Sequence, residues 1–326
     1  MIGRRELITG LTGAAAWPLA ARAQQDGRAR RIGILSGRDE TDPIDQTQQN
    51  ALREELAKLG WIEGRNVRFD FRPGDPNRLR MYADELVRLA PDVIVVQGGP
   101  GAQALLQRTW NIPIVFTSVG DPVAIGLLKD IARPEGNATG ITNQYQPLGG
   151  KWLELLKEAA PRTARVALVF APENLNNQYF FAINTTAEVL GVRAIQAPYR
   201  NAAELKRAID NLAAEPNGGL VIVPAPPSTS NRQLIIRLAL KYRLPTIASS
   251  KDFPAEGGMM AYGSDGVLQF RTAASYIDRI LRGANVNELP VQFPTKFNLV
   301  INLKTAKALG LTIPETLLAT ADEVIQ

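Results

Sequence analysis

LRMYADELVRLAPDVIVVQGG, residues 79–99, sets the pattern that organises the chain. Leu79, Tyr82, Leu86 and Leu89 recur at helical spacing and give one apolar side. Asp92 to Val96 is then a mostly apolar run that predicts a central strand, and Gln97-Gly98-Gly99 turns it into a helix predicted over Gly101 to Trp110. A strand buried on both faces reads as such a run only in a parallel sheet covered by helices.

The same unit recurs on either side. Arg31 to Ser36 predicts a strand, followed by a helix with Leu52, Leu56 and Leu59 on one face that stops at Gly60. Val67 to Phe71 and Ile112 to Thr117 predict two more strands. A second series predicts strands at Arg165 to Phe170, Val192 to Tyr199, Gly219 to Pro224 and Leu244 to Ser249, with helices between them. Strand–helix units of this length build right-handed parallel crossovers. The expected fold is α/β, with two Rossmann-like lobes of parallel sheet.

Gly136 to Pro147 (GNATGITNQYQP) is rich in turn residues and separates the two series as a crossover. A further strand (Met259 to Tyr262) and helix (Val267 to Leu281) fit as the completion of the first lobe. Phe297 to Asn302 and the Lys304–Gly310 helix return to the second. The expected organisation is lobe 1 over 28–144 and 254–284, and lobe 2 over 145–253 and 285–326, with a three-segment hinge. A cleft between two such lobes is where a ligand is expected.

Residues 1–23 are expected to be an export signal. Arg4 and Arg5 give a charged start, Leu7 to Leu19 a mildly apolar stretch, and Ala21-Arg22-Ala23 a small-x-small cleavage site. The paired arginines approach the twin-arginine pattern, with Gly3 in place of the usual Ser or Thr, so either that route or the general secretory one is open. Losing Arg4, Arg5, Arg22 and Glu6 lowers the formal charge from +5 to +3, too little to argue for nucleic acid. No later apolar segment approaches ~18 residues, so the mature chain is expected to be soluble.

The chain has no cysteine and no histidine. That removes disulfides, His-based acid–base catalysis, Ser-His-Asp and Cys-His arrangements and nearly all zinc sites. There is no G-x-G-x-x-G or Walker motif and no carboxylate pair spaced as a catalytic dyad. These absences thin the list of enzymes and leave carboxylate-only chemistry open, and no cofactor or metal is expected.

In an open parallel sheet the ligand meets the loops at the carboxyl ends of the strands. These supply Ser36, Arg38 and Asp39, then Gln97, Gly98 and Gly99, then Ser118 and Asp121. Asn143 and Tyr145 come from the crossover, and Asn174, Pro224, Ala225, Ser249, Asp252 and Phe253 from the second lobe. Several have a plainer reading. Gln97-Gly98-Gly99 is either an anion-holding helix start or a tight turn, Asp121-Pro122 a helix cap, Arg38 and Asp39 a solvated loop, and Tyr145 and Phe253 ordinary packing.

Several ordered segments together resemble a known family. They are WPLAARAQQ (17–25), RIGILSG (31–37), GWIEGRNVRFDFR (60–72), ADELVRLAPDVIVVQGG (83–99), IPIVFTSVGDPVAIGLL (112–128), ARPEGNATGIT (132–142), KWLELLKEAAP (151–161) and PTKFNLVINLKTAKALGLTIP (294–314). The chain resembles the exported substrate-binding proteins of ABC transporters that group with the tryptophan/tyrosine-type binding proteins. The resemblance implies a type I periplasmic binding fold and no enzymatic activity. It also implies a small organic ligand (an amino acid, aromatic or carboxylate compound), a monomer, and an ABC permease in the inner membrane as partner. Ligand contacts are then implied at Ser36 to Asp39, Gln97 to Gly99, Ser118 to Asp121 and Thr142-Asn143. The aromatic-binding relatives carry Asp where this chain has Asn143, which removes a partner for a ligand ammonium group. A ligand-sensing protein for a membrane receptor and an exported carboxylate-dependent hydrolase are the rival readings.

Overall fold

The computed structural model describes residues 28–326 apart from 76, 144–146, 171, 173–177, 225–227 and 229, so the expected export signal lies outside the described residues. The chain forms two compact units, Met1–Thr142 with Gly266–Gln292, and Asn143–Asp265 with Phe293–Gln326. It passes from one to the other three times, at 142/143, 265/266 and 292/293.

Unit 1 is a five-stranded sheet in the order β2-β1-β3-β4-β5, every pair parallel. The strands are β1 Arg30–Leu35, β2 Val67–Arg72, β3 Val93–Gln97, β4 Ile114–Val119 and β5 Ala138–Thr142. The helices are α1 Pro43–Lys58, α2 Leu79–Arg88 and α3 Gly99–Leu106, with α9 Gly266–Leu281 added from late in the chain. The alternation of β3 shows why its sequence is apolar throughout. Val93 and Val95 join the core under α1 and α9, with Leu52, Leu56, Phe270 and Ile277. Ile94 and Val96 join the core under α2 and α3, with Leu86 and Leu105. Both faces are dry, so neither can carry a polar alternate.

Unit 2 is a seven-stranded sheet in the order β12-β11-β10-β9-β8-β6-β7. Its strands are β6 Arg165–Phe170, β7 Arg193–Pro198, β8 Gly218–Ile222, β9 Thr246–Ala248, β10 Met260–Ser264, β11 Phe297–Asn302 and β12 Glu323–Ile325. Only the β10–β11 pair is antiparallel. Helices α4 Leu148–Ala159 and α5 Gln178–Leu190 cover one face, and α6 Ala202–Ala213 and α7 Arg232–Tyr242 the other. The short helices α8 Asp252–Ala255, α10 Leu303–Ala308 and α11 Glu315–Thr320 complete the unit. Among the described residues no helix is long and apolar enough to cross a membrane.

Two sequence expectations are corrected. The strand at Met260–Ser264 does not complete the first lobe. It pairs with β9 and β11 in the second sheet, and only the helix after it enters unit 1. Gly263 permits this, since a Cβ there would stand 1.8 Å from the Ser249 carbonyl oxygen. Residues 285–292, expected in the second lobe, pack in unit 1, where Thr139 donates to the Leu289 carbonyl at 2.5 Å and Tyr276 to that of Pro290. Within the turn-rich crossover, Ala138–Thr142 forms the fully buried edge strand β5. Gly140 fits there because its bare Cα lies against the Phe116 backbone.

Candidate functional site

All five strands of unit 1 are parallel, so the residues that follow them gather on one edge. Ser36 follows β1, Gln97 ends β3, and Ser118 lies at a register shift in β4. Beneath them runs a buried polar chain. The Ser36 hydroxyl donates to Asp45 Oδ1 at 2.7 Å and accepts the Arg38 N–H at 2.9 Å. Gln49 donates to the other Asp45 oxygen. Gln97 Oε1 accepts the Gly37 N–H at 3.1 Å, while its amide nitrogen donates to Gln48 Oε1 at 2.8 Å. Burial pushes the Asp45 carboxyl above its ordinary range, against the hydrogen bonds from Ser36 and Gln49.

The helix after Gln97 begins bare. Gly98 precedes α3 at φ 87°, a left-handed conformation suited to glycine, and no side chain caps the helix start. A Cβ on Gly98 would meet nothing within 4 Å. Unsatisfied N–H groups at such a start attract a carboxylate. Across β4, Ser118 holds φ 54°, unusual for a residue with a side chain, and its N–H and hydroxyl both donate to Gln269 Oε1 at 2.9 and 3.2 Å.

The other expected unit 1 residues are tied locally. Asp121 caps the turn that follows it, accepting from the Val123 and Ala124 N–H groups at 3.0 Å each. Arg38 pairs with Asp42 at 2.9 Å. The Asp42 carboxyl is held below its ordinary range, since burial is outweighed by Arg38 and by the Ile44 and Asp45 N–H groups. Asp39 is exposed and turned onto Thr41, whose backbone and hydroxyl bonds lower its pKa. Ser36, Gln97, Gly98, Gly99 and Ser118 share the edge with the Arg38 backbone, whereas the Asp39 carboxylate is spent on its own loop.

In unit 2, Pro224 is exposed after β8 and Ser249 half-buried after β9. Asp252 is buried at the start of α8, 3.7 Å from Arg232, which also pairs with Glu256. Phe253 is corrected to a core residue, 2 % exposed among Leu205, Ile235 and Leu244. Asn143 is half-buried directly after β5. Tyr145, Asn174 and Ala225 lie outside the described residues.

Sequence reasoning missed the support. Asp45, Gln48 and Gln49 lie on α1 and Gln269 on α9, each 6 % exposed or less. Four buried polar side chains in amphipathic helices were the available signal. It also missed Gly74, whose N–H donates to the Arg38 carbonyl at 2.6 Å, where a Cβ would stand 2.2 Å from the Arg38 nitrogen. In unit 2 it missed the Tyr262–Phe297 stack, with centroids 5.7 Å apart, and the Trp152 indole donating to the Tyr262 carbonyl at 2.6 Å.

Two α/β units with mainly parallel sheets, the first with strand-end loops built on a buried polar frame, form the kind of fold in which ligands meet the loops at the carboxyl ends of the strands. The chain belongs to the ABC transporter substrate-binding protein family, whose model matches residues 40–325. It is 25% identical over 293 residues to a tyrosine-binding protein of Clostridioides difficile, covering 87% of this chain and 82% of that one. A conserved domain protein from Vibrio cholerae is similar in structure at a TM-score of 0.79 and 29% identity, covering 91% of this chain and 100% of that one. An ABC domain from Streptococcus pneumoniae in complex with L-Trp superposes at a TM-score of 0.80 and 22% identity, over 91% and 100% of the two chains. Such neighbours share the type I periplasmic binding fold.

Proposed function

We propose that this substrate-binding protein captures a small organic carboxylate bearing an aromatic group, such as an aromatic amino acid, for an ABC importer. The observation that carries the reading is the uncapped start of α3 at Gly98, open to solvent beside Ser118. Positive partial charge there suits a ligand carboxylate, and the Ser118 hydroxyl is a second polar group at the same edge. The tyrosine-binding relative and the L-Trp complex support an aromatic side chain on the ligand. Ser36 and Gln97 frame the edge, and in unit 2 Asn143, Pro224, Ser249 and Asp252 are proposed separately as ligand-contacting residues. The family is one of binding proteins, and no turnover is proposed. The arginine-led start and Ala21-Arg22-Ala23 support export to the periplasm, where a monomer would deliver ligand to an inner-membrane permease.

The test is thermal denaturation and calorimetry with L-tyrosine, L-tryptophan, L-phenylalanine, 3-phenylpropionate and L-leucine. A true ligand at a hundredfold excess over Kd stabilises by about 3 kcal/mol. Aromatic carboxylates should raise Tm and L-leucine should not. A folded protein stabilised by none of the aromatic compounds would reject the proposal.

A further inference from the structure

The first turn of α9 touches both halves of the unit 1 edge. Its first residue, Gly266, faces Gln48, and a Cβ there would stand 2.3 Å from Gln48 Nε2. Gln48 in turn accepts from Gln97, whose Oε1 accepts the Gly37 N–H, so this branch ends on the loop after β1. Its fourth residue, Gln269, accepts both Ser118 donors, so the other branch ends on the loop after β4. The side chains of Gln48, Gln97 and Gln269 are all buried, at 6 %, 9 % and 4 % exposure. Neutral amides can serve here without a charge to desolvate.

Ser118 has a reason to need holding. Its φ of 54° lies in the left-handed region, which an L-residue adopts only at a cost in strain. Two hydrogen bonds to one buried oxygen offset that cost, and loss of the acceptor would free the peptide to relax.

We propose that Gln269 and the Gly266–Gln48 contact are positioning elements that hold the ligand-contacting loops in their binding geometry before ligand arrives. The proposal rests on the reading of the unit 1 edge as the ligand site. None of the three residues needs to touch ligand. Helix α9 enters unit 1 directly from the chain crossing at 265/266, so the late segment of the sequence sets the early loops.

The test is a double-mutant cycle. Gln269→Met keeps the side-chain volume and removes the acceptor. It should weaken binding of L-tyrosine or L-tryptophan about tenfold, chiefly through a slower on-rate, because fewer molecules hold the competent loop. In a Ser118→Gly background the backbone adopts positive φ freely, so adding Gln269→Met should change affinity less than twofold. Gly266→Ala should give a similar loss by displacing the Gln48 amide, with Tm nearly unchanged. Equal losses from Gln269→Met with and without Ser118→Gly would show a packing role and overturn the proposal, as would wild-type affinity in both Gln269→Met and Gly266→Ala. Hydrogen exchange at the Ser118 amide decides the matter without ligand. Faster exchange in Gln269→Met supports the proposal and unchanged exchange rejects it, even if the wild type binds no aromatic compound and the ligand reading itself fails.

Discussion

The hydroxyl of Ser36 donates to Oδ1 of Asp45 at 2.7 Å, and neither residue is more than 2 % exposed. One is the first residue after β1 and the other lies in the first turn of α1, so the bond locks the strand-end loop onto the helix that follows it. Gln49 completes the second carboxylate oxygen. A buried carboxylate with these neutral partners keeps its charge at a cost, which burial expresses as a raised pKa.

That cost gives a pH signature. Because the folded pKa of Asp45 lies above the unfolded value of about 3.9, the unfolded chain binds fewer protons between the two values, and stability falls as pH rises. The contribution is whole below the unfolded value and lost as pH climbs through the folded one. Among the groups facing Asp45, Asp42 strengthens the shift and Arg38 opposes it. Asp42 and Asp39, held low, act oppositely and only in more acid solution. The Tm of Asp45→Asn minus that of wild type should therefore grow as pH is raised from about 4 to 7. A difference constant across that range would contradict the assignment.

Gly140 is a position where a single methyl should do clear harm. A Cβ there would stand 2.0 Å from the Phe116 carbonyl oxygen and 2.7 Å from the Phe116 nitrogen, both on the neighbouring strand. The backbone cannot yield without parting β4 from β5. Gly140→Ala should destabilise by about 2–3 kcal/mol, visible in urea denaturation as a lower midpoint at unchanged slope. Gly60→Ala is the control, because nothing lies within 4 Å of its Cβ position. Its left-handed φ should cost only about 1 kcal/mol.

Phe253 separates core from site. Its ring is buried in unit 2 against the face covered by α6 and α7. Phe253→Ala should cost about 3–5 kcal/mol of stability. Phe253→Leu should cost much less and leave ligand affinity and ligand preference as in wild type. A change in preference among the aromatic compounds in Phe253→Leu would return the residue to the binding surface.

The sheet was legible because parallel strands buried on both faces leave an unbroken apolar run, as in Val93 to Val96. Helices with one apolar side, such as that of Leu52 and Leu56, were legible by spacing. The ownership of β10 was not, since Met260 to Ser264 reads as a strand in either sheet and only its pairing with Thr246–Ala248 and Phe297–Asn302 settles it. Strand-end loops could be named from topology, but their use could not. Asp39 and Asp121 accept local N–H groups, a choice made by backbone conformation over two or three residues. The supports, Gln48 and Gln269, come from helices 221 positions apart in sequence, and no local pattern links them.

Asn143 carries the last prediction. It follows β5 directly, and its side chain is a neutral amide. A carboxylate at that position would attract a ligand ammonium group, whereas an amide offers it only a neutral oxygen. The native protein should accordingly bind 3-phenylpropionate within about threefold of L-phenylalanine, since the ammonium group gains little. Asn143→Asp should shift the ratio roughly tenfold toward L-phenylalanine, about 1.4 kcal/mol, with the carboxylate end of both ligands unaffected. Calorimetry with the two compounds reads the ratio directly. Native discrimination already as strong as tenfold, unmoved by Asn143→Asp, would mean that another group receives the ammonium and that Asn143 does not face the ligand.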